Sequence, residues 1–221
     1  MKIEIWSDFA CPYCYIGKRK IEEALKDFPM LKDVHIVFKS FELDPTASTE
    51  VTMSTKNRLM NKYDMSELKA QQMMDSITED AANAGLDIHY ETASYTNTFD
   101  AHRLLKYAQS ECKEKEIVEK LFHAYFIDNK KLSDFNVLLN IASEIGLDKK
   151  EVERILNSNK FVENVRIDEK EAQRFGIRSV PFFVINQKYA ISGAQPPEVF
   201  KKAIKKVLEE SNLSCHKEYT E

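Results

Sequence analysis

The segment SDFACPYCYIG, residues 7–17, sets two cysteines two residues apart between a strand-like run and a helical one. Before it, KIEIW alternates Ile3 and Ile5 with polar neighbours, the period of a half-buried strand. After it, from Pro12 to about Phe28, the residues Ile16, Ile21, Ala24, Leu25 and Phe28 recur at helical spacing. Pro12 suits the first turn of that helix, because its fixed φ is already helical. DVHIVFKSFEL then predicts a second strand with Val34, Ile36 and Phe38 on one face. The order is therefore strand, Cys-x-x-Cys, helix, strand.

That placement has a chemical consequence. Two intervening residues put both sulfurs on the first helical turn, within disulfide reach. The first thiol is expected to be exposed beyond the helix end. There the helix N-terminus and its free N–H groups favour a thiolate, which makes Cys11 the nucleophile. Cys14, one turn further in, is shielded and resolves a mixed disulfide formed at Cys11. Tyr13 tunes the local electrostatics and the contact surface. A zinc site needs two further ligands, usually from a second Cys-x-x-Cys or a His pair. Here Cys112 and Cys215 stand singly, and His35, His89, His102 and His123 are dispersed. Cys215-His216 lies in a polar tail and could contribute only by folding back. The residues favour a redox dithiol, with no metal.

The middle of the chain, from about Thr52 to Asn157, reads as helix throughout. Leu68, Met73, Met74 and Ile77 mark one helix, ended near Gly85. Ile117, Leu121 and Tyr125, beside Val118, Phe122 and Phe126, mark another with a broad apolar face. Phe135, Leu138, Leu139 and Ala142 mark a third, stopped by Gly146, and Asp148 with Glu151 reads as a capping box. After a helix running to about Phe175, strands return. SVPFFVI reads as a strand buried on both faces, NQK as a turn and YAIS as a short strand. The closing helix carries Val199, Phe200, Ala203, Ile204, Val207 and Leu208 on its apolar face. The expected architecture is an α/β domain formed by residues 1–50 and 160–221, with an all-helical insertion over 51–159.

Composition narrows the partners. The 221 residues are 43% hydrophobic and 31% charged, with a formal net charge of −4. A globular chain with that charge is a poor match to nucleic acid or to an anionic membrane surface. No stretch approaches the ~20 apolar residues of a bilayer-spanning helix. The N-terminus enters a strand pattern at once, so the expected compartment is the cytosol, where closely spaced cysteines are more often catalytic or metal-binding than structural.

Three segments, WSDFACPYCYIGK (6–18), NTFDAHRLLKYA (97–108) and GIRSVPFFVINQKYAISGAQP (176–196), together resemble the DsbA-like thioredoxin-fold oxidoreductases. The nearest branch is the FrnE-like one, often labelled dithiol-disulfide isomerase. The resemblance covers essentially the whole chain. It implies a thioredoxin domain interrupted by a helical domain that roofs the active site, with Cys11 as nucleophile and Cys14 as resolving thiol. It also implies a cis Val180–Pro181 bond that packs the proline loop against the cysteines. That loop would expose the backbone of Val180 to an extended substrate segment, with Ser179 and Val180 flanking the nucleophile. NTFDAHR recurs in this branch and in the related kappa-class glutathione transferases and hydroxychromene-carboxylate isomerases. It marks Asn97 and His102 for substrate contact, with Arg103 beside them at the cleft; Asn97 is equally suited to capping a helix. Asp8 either relays a proton to the thiols or satisfies loop N–H groups, the second being the stronger reading.

Those glutathione-dependent relatives carry serine at the position of Cys11, whereas this chain has a dithiol. The expected activity is thiol–disulfide exchange with protein or small-thiol substrates. Rival readings are a glutathione-dependent isomerase or transferase, and a polypeptide-binding chaperone. The cysteines are the redox centre, no separate cofactor is expected, and glutathione is a possible co-substrate. The chain is expected to be a monomer or homodimer. Trp6 is expected near the pair, Cys112 near the core and Cys215 in the tail.

Overall fold

The computed structural model describes residues 1–31 and 34–217, with side chains described as far as residue 210. Cys215 and His216 lie outside the described side chains. The chain begins with strand β1 (Lys2–Ser7), helix α1 (Pro12–Leu25) and strand β2 (His35–Ser40). β1 and β2 run parallel, Ile5 opposite Phe38 and Ser7 opposite Ser40. Parallel neighbours need a crossover, and α1 supplies it. Six helices follow: α2 (Thr55–Tyr63), α3 (Glu67–Asn83), α4 (Phe99–Ser110), α5 (Glu114–Phe126), α6 (Phe135–Glu144) and α7 (Lys149–Leu156), with a 3₁₀ turn at Tyr90–Thr92. Helix α8 (Val162–Arg174), strands β3 (Phe182–Ile185) and β4 (Tyr189–Ser192), and helix α9 (Pro197–Lys217) complete the chain.

The sheet order is β2-β1-β3-β4, with β3 antiparallel to both β1 and β4. Side-chain alternation divides its two faces. Ile3, Ile5, Phe183 and Ile185 join the main core beneath α1 and α9, where the Phe183 ring meets Phe200 edge-on at 4.7 Å. Trp6 points the other way, into a small cluster with Ala172 and Ile177 around α8. The three-residue turn between β3 and β4, residues 186–188, has Asn186 and Gln187 both at positive φ and is closed by the Lys188 N–H donating to Ile185 O at 3.0 Å.

The helices from α2 to α7 share one continuous buried cluster with the sheet and α1. Stacked rings make the junction: Tyr15 of α1 lies against Phe122 of α5 at 4.9 Å, and Phe9 packs on Phe122 at 5.2 Å. Polar groups reinforce it. Glu119 of α5 accepts from Tyr15 Oη (2.7 Å) and Lys18 Nζ (2.6 Å), and also pairs with Arg19. On the other side, the buried Asp168 of α8 holds Lys106 of α4, Lys39 of β2 (3.3 Å) and the Ser40 N–H (2.8 Å).

Several local expectations change. Leu68 is 69% exposed and Met73 only half-buried, whereas the expected Met74 and Ile77 are buried together with Ala70 and Ala81. β3 is shorter than SVPFFVI. It buries only Phe183 and Ile185 completely, because the Phe182 and Val184 side is covered in part. Asp148 does cap α7, accepting from Lys150 N at 2.9 Å, but Glu151 pairs with Lys160 and Arg154 rather than closing a box. Val199, in the first turn of α9, stays 37% exposed. Gly85 and Gly146 end α3 and α6 at φ +74° and +77°, where a Cβ would be disfavoured.

Candidate active site

Cys11 caps the N-terminus of α1 with extended backbone, and Pro12 follows in the first helical turn. The Cys11 N–H donates to the carbonyl of Asp8 (3.1 Å), and the Cys14 N–H donates to the carbonyl of Cys11 (3.0 Å). These two bonds wind the segment into one turn and bring the thiols together. Both are free. Cys11 was expected to be exposed and is only 5% so, because the loop before β3 lies over it. The Cys11 thiol donates to the carbonyl of Val180 at 3.5 Å, and the Val180–Pro181 bond is cis.

Cys14 is 1% exposed. Burial pushes its thiol well above the usual cysteine range, and the adjacent Cys11 adds to this by hydrogen bonding and charge. The Ser7 hydroxyl and the Asp8 N–H act in the opposite sense. Ser7 Oγ, buried at the end of β1, makes no hydrogen bond. The asymmetry suits the two roles: Cys14 is held as a protonated thiol, inside and behind Cys11.

The Asp8 carboxylate is engaged by the backbone and α4 around it. Its oxygens accept from the N–H groups of Ala10 (3.2 Å) and Leu43 (2.7 Å) and from Thr98 Oγ1 (2.9 Å). Burial works to raise its pKa, but His102 and the two N–H groups prevail and leave it lowered. This is the loop-organising role. The same carboxylate carries the loop before Cys11, the strand exit at Leu43 and the start of α4.

His102 is 1% exposed and lies behind the cysteine loop. Its Nε2 is 3.6 Å from Asp8 Oδ1, its ring packs on Phe9 at 5.0 Å, and neither ring nitrogen has a hydrogen-bond partner. Asn97 is half-buried at the entry to α4. Its Oδ1 accepts from Phe99 N (2.9 Å) and its backbone N–H donates to Ser48 O (2.8 Å). Arg103 does not face the cleft. It is buried, donates to the carbonyls of Lys160 (3.0 Å), Ile155 and Ser158 at the end of α7, and pairs with Asp100 at 2.7 Å. A charged fork satisfies unpaired helix-end carbonyls well, which accounts for its burial.

Tyr13, 37% exposed, stands at the mouth with its hydroxyl toward Asp80 of α3. Burial, Asp80 and Cys11 together raise its pKa. Ser179 is exposed and Val180 half-buried, so the loop presents its backbone beside the thiol. Trp6 points into the cluster around α8: its indole N–H donates to Asp168 O (3.1 Å), its ring meets Phe175 at 5.8 Å, and Val180, whose carbonyl meets the Cys11 thiol, packs against that cluster. Cys112 is exposed in the turn between α4 and α5, not near the core.

The sequence reading missed three contributors. Ser7 was an ordinary strand end, and the Tyr90–Arg58 pair in the helical layer has no periodic signal. Gly17 did carry one, since a glycine inside a helix pattern often marks a close approach. Among the described residues, no group of three or more His, Cys, Asp or Glu side chains is arranged to hold a metal ion. No described helix is long and apolar enough to cross a membrane.

A family model described as the DSBA-like thioredoxin domain matches residues 2–205. The protein YwbO of Bacillus subtilis (strain 168) is 30% identical over 206 residues, covering 91% of this chain and 94% of its own length. The crystal structure of a probable DsbA oxidoreductase from Streptomyces coelicolor superposes with a TM-score of 0.90 at 38% identity, over 95% of this chain and 91% of that one. The cytosolic disulfide reductase DsbM from Pseudomonas aeruginosa, solved with glutathione, shares the fold at a TM-score of 0.62 and 13% identity, over 95% of this chain and 100% of that one.

Proposed function

Because the chain belongs to the DsbA-like thioredoxin domain family, we propose that it is a thiol–disulfide oxidoreductase using Cys11 and Cys14 as its redox pair. The observation that carries this reading is the placement of two free, buried thiols on one helical turn, with Cys11 against the Val180 carbonyl of the proline loop. Cys11, as thiolate, attacks one sulfur of a substrate disulfide. The S–S bond breaks, one substrate thiolate leaves and takes a proton from water, and a mixed disulfide remains. Cys14 then loses its proton and attacks Cys11 Sγ, releasing the second substrate thiol. Two electrons pass from the dithiol to the substrate, and the reverse sequence oxidises a substrate dithiol.

Substrates are small disulfides such as glutathione disulfide, or extended protein segments lying along the Val180 backbone. The glutathione complex of DsbM supports the first class. The reaction needs no metal, flavin or nucleotide, and the cytosol is the compartment where a reductase of this kind works. Val180, Pro181, Pro12 and Tyr13 shape the site, and Ser179 lines its exposed rim. Asn97 and His102 act by holding the α4 entry and the cysteine loop. Cys11→Ser is expected to abolish exchange, whereas Cys14→Ala accumulates mixed disulfide visible by mass spectrometry. Full turnover by the Cys14 variant would favour a single-thiol glutathione chemistry instead.

A further inference from the structure

Arg58 of α2 is the odd cation of the helical layer. Arg19, Arg103 and Arg166, the other arginines not exposed, each hold a carboxylate. Arg58 is half-buried and has no carboxylate within 4.0 Å among the described residues. Its guanidinium lies 3.9 Å over the ring of Tyr95, and Nη2 donates to Tyr90 Oη at 3.4 Å. Nε is buried with no hydrogen-bond partner. A desolvated donor without an acceptor carries a cost of order 1–3 kcal/mol, more for a charged group, and that cost is relieved when an anion binds.

The cradle is wired to the redox pair by packing. The Tyr90 ring lies tilted against Phe126 at 6.3 Å, and Phe126 stacks toward Tyr15, the residue after Cys14, also at 6.3 Å. Burial pushes the Tyr90 phenol up to about 12; Arg58 works to lower it, and the charge of Cys11 adds to the rise. Asp44 borders the group, accepting from Tyr95 Oη at 3.3 Å and, on its other oxygen, from Thr46 Oγ1 at 2.7 Å, and Asp8 also acts on Tyr95 through its charge.

We infer that Arg58, with the Tyr90 hydroxyl, is a subsite for a substrate carboxylate, and that it selects small disulfides carrying a carboxylate near the sulfur, of which glutathione disulfide is the test case. The inference rests on the exchange reading above. During transfer, the carboxylate is held by Arg58 while Cys11 attacks the disulfide sulfur and the leaving glutathione departs as the thiolate. Arg58 touches substrate but takes no part in the electron transfer.

The test is single-turnover oxidation of the reduced protein, quenched by alkylation and read by mass spectrometry. The probes are glutathione disulfide, its tetraethyl ester and hydroxyethyl disulfide. The wild type should react with glutathione disulfide at least about tenfold faster, at limiting concentration, than with the ester. Arg58→Met should lose that preference, its rate with glutathione disulfide falling to that with the ester. Equal wild-type rates for the acid and the ester overturn the subsite without any variant being needed. So does an Arg58→Met protein, folded by circular dichroism, that retains the preference. Failure of all three probes with the wild type overturns the exchange reading, and the subsite falls with it.

Discussion

Gly17 of α1 stands directly against Pro181: a Cβ on Gly17 would lie 3.0 Å from Pro181 Cγ and 3.0 Å from Phe183 Cζ. Glycine is thus required by the approach of the helix to the loop that covers Cys11. Neither neighbour is the end of a flexible chain, so the added methyl must displace the loop or the strand. Gly17→Ala is expected to destabilise the fold by about 1–3 kcal/mol, the usual range for overpacking. The shifted loop should also slow exchange. A thermal melt and a disulfide-reduction assay check both effects, and an unchanged melting temperature would contradict the contact.

Cys14 is expected to resist alkylation at neutral pH in the native protein, while Cys11 reacts. Burial and the neighbouring Cys11 raise the Cys14 pKa, so its thiolate fraction grows only as pH rises well above the ordinary cysteine range. Removing the Ser7 hydroxyl, which favours the thiolate, should push Cys14 further up. Ser7→Ala is then expected to slow release of the mixed disulfide more than its formation, by about threefold to tenfold. Pre-steady-state trapping of the mixed disulfide measures this directly.

Acid stability should depend on Glu119. Its pKa is lowered to about 2: burial opposes this, but the bonds from Lys18, Tyr15 and Arg19 outweigh it. A depressed carboxylate stabilises the folded state fully above its unfolded pKa, and that stability is lost as pH falls toward the folded value. The window is therefore from about 4.5 down to about 2. With its side chain a third exposed, the contribution is discounted to about 1–2 kcal/mol. Glu119→Gln should flatten the decline in stability across that range, as read by urea unfolding at several pH values.

Much of this was legible in the chain, and the parts that were not have physical reasons. The Cys-x-x-Cys at a strand–helix junction, the helix of Ile117–Phe126 and the SVPFFVI–turn–YAIS hairpin announced themselves by period and by turn chemistry. The roles of Arg103 and Trp6 did not, because both depend on partners more than fifty residues away: the α7 carbonyls and Asp168. Leu68 misled because helical spacing identifies a face only when that face has a neighbour, and the buried face of α3 runs through Ala70, Met74, Ile77 and Ala81. Burial of Cys11 follows from the tertiary position of Val180, which no local pattern encodes.

Asp168 is the buried hub between α8, β2 and α4. Asp168→Ala would leave Lys106, 8% exposed as a residue, without its carboxylate partner, and would orphan the Ser40 N–H. Removing one member of such a pair typically costs about 3–5 kcal/mol. Chemical denaturation should show a loss of that order. A loss within about 0.5 kcal/mol would place the pair among inconsequential surface ones.

The most direct test of the central claim is equilibration of the protein in glutathione redox buffers, followed by alkylation and mass spectrometry of the peptide holding Cys11 and Cys14. The account predicts one reversible two-electron transition between dithiol and Cys11–Cys14 disulfide, abolished by Cys11→Ser. Cysteines that stay reduced across the whole range, or that yield no intramolecular disulfide, would contradict it.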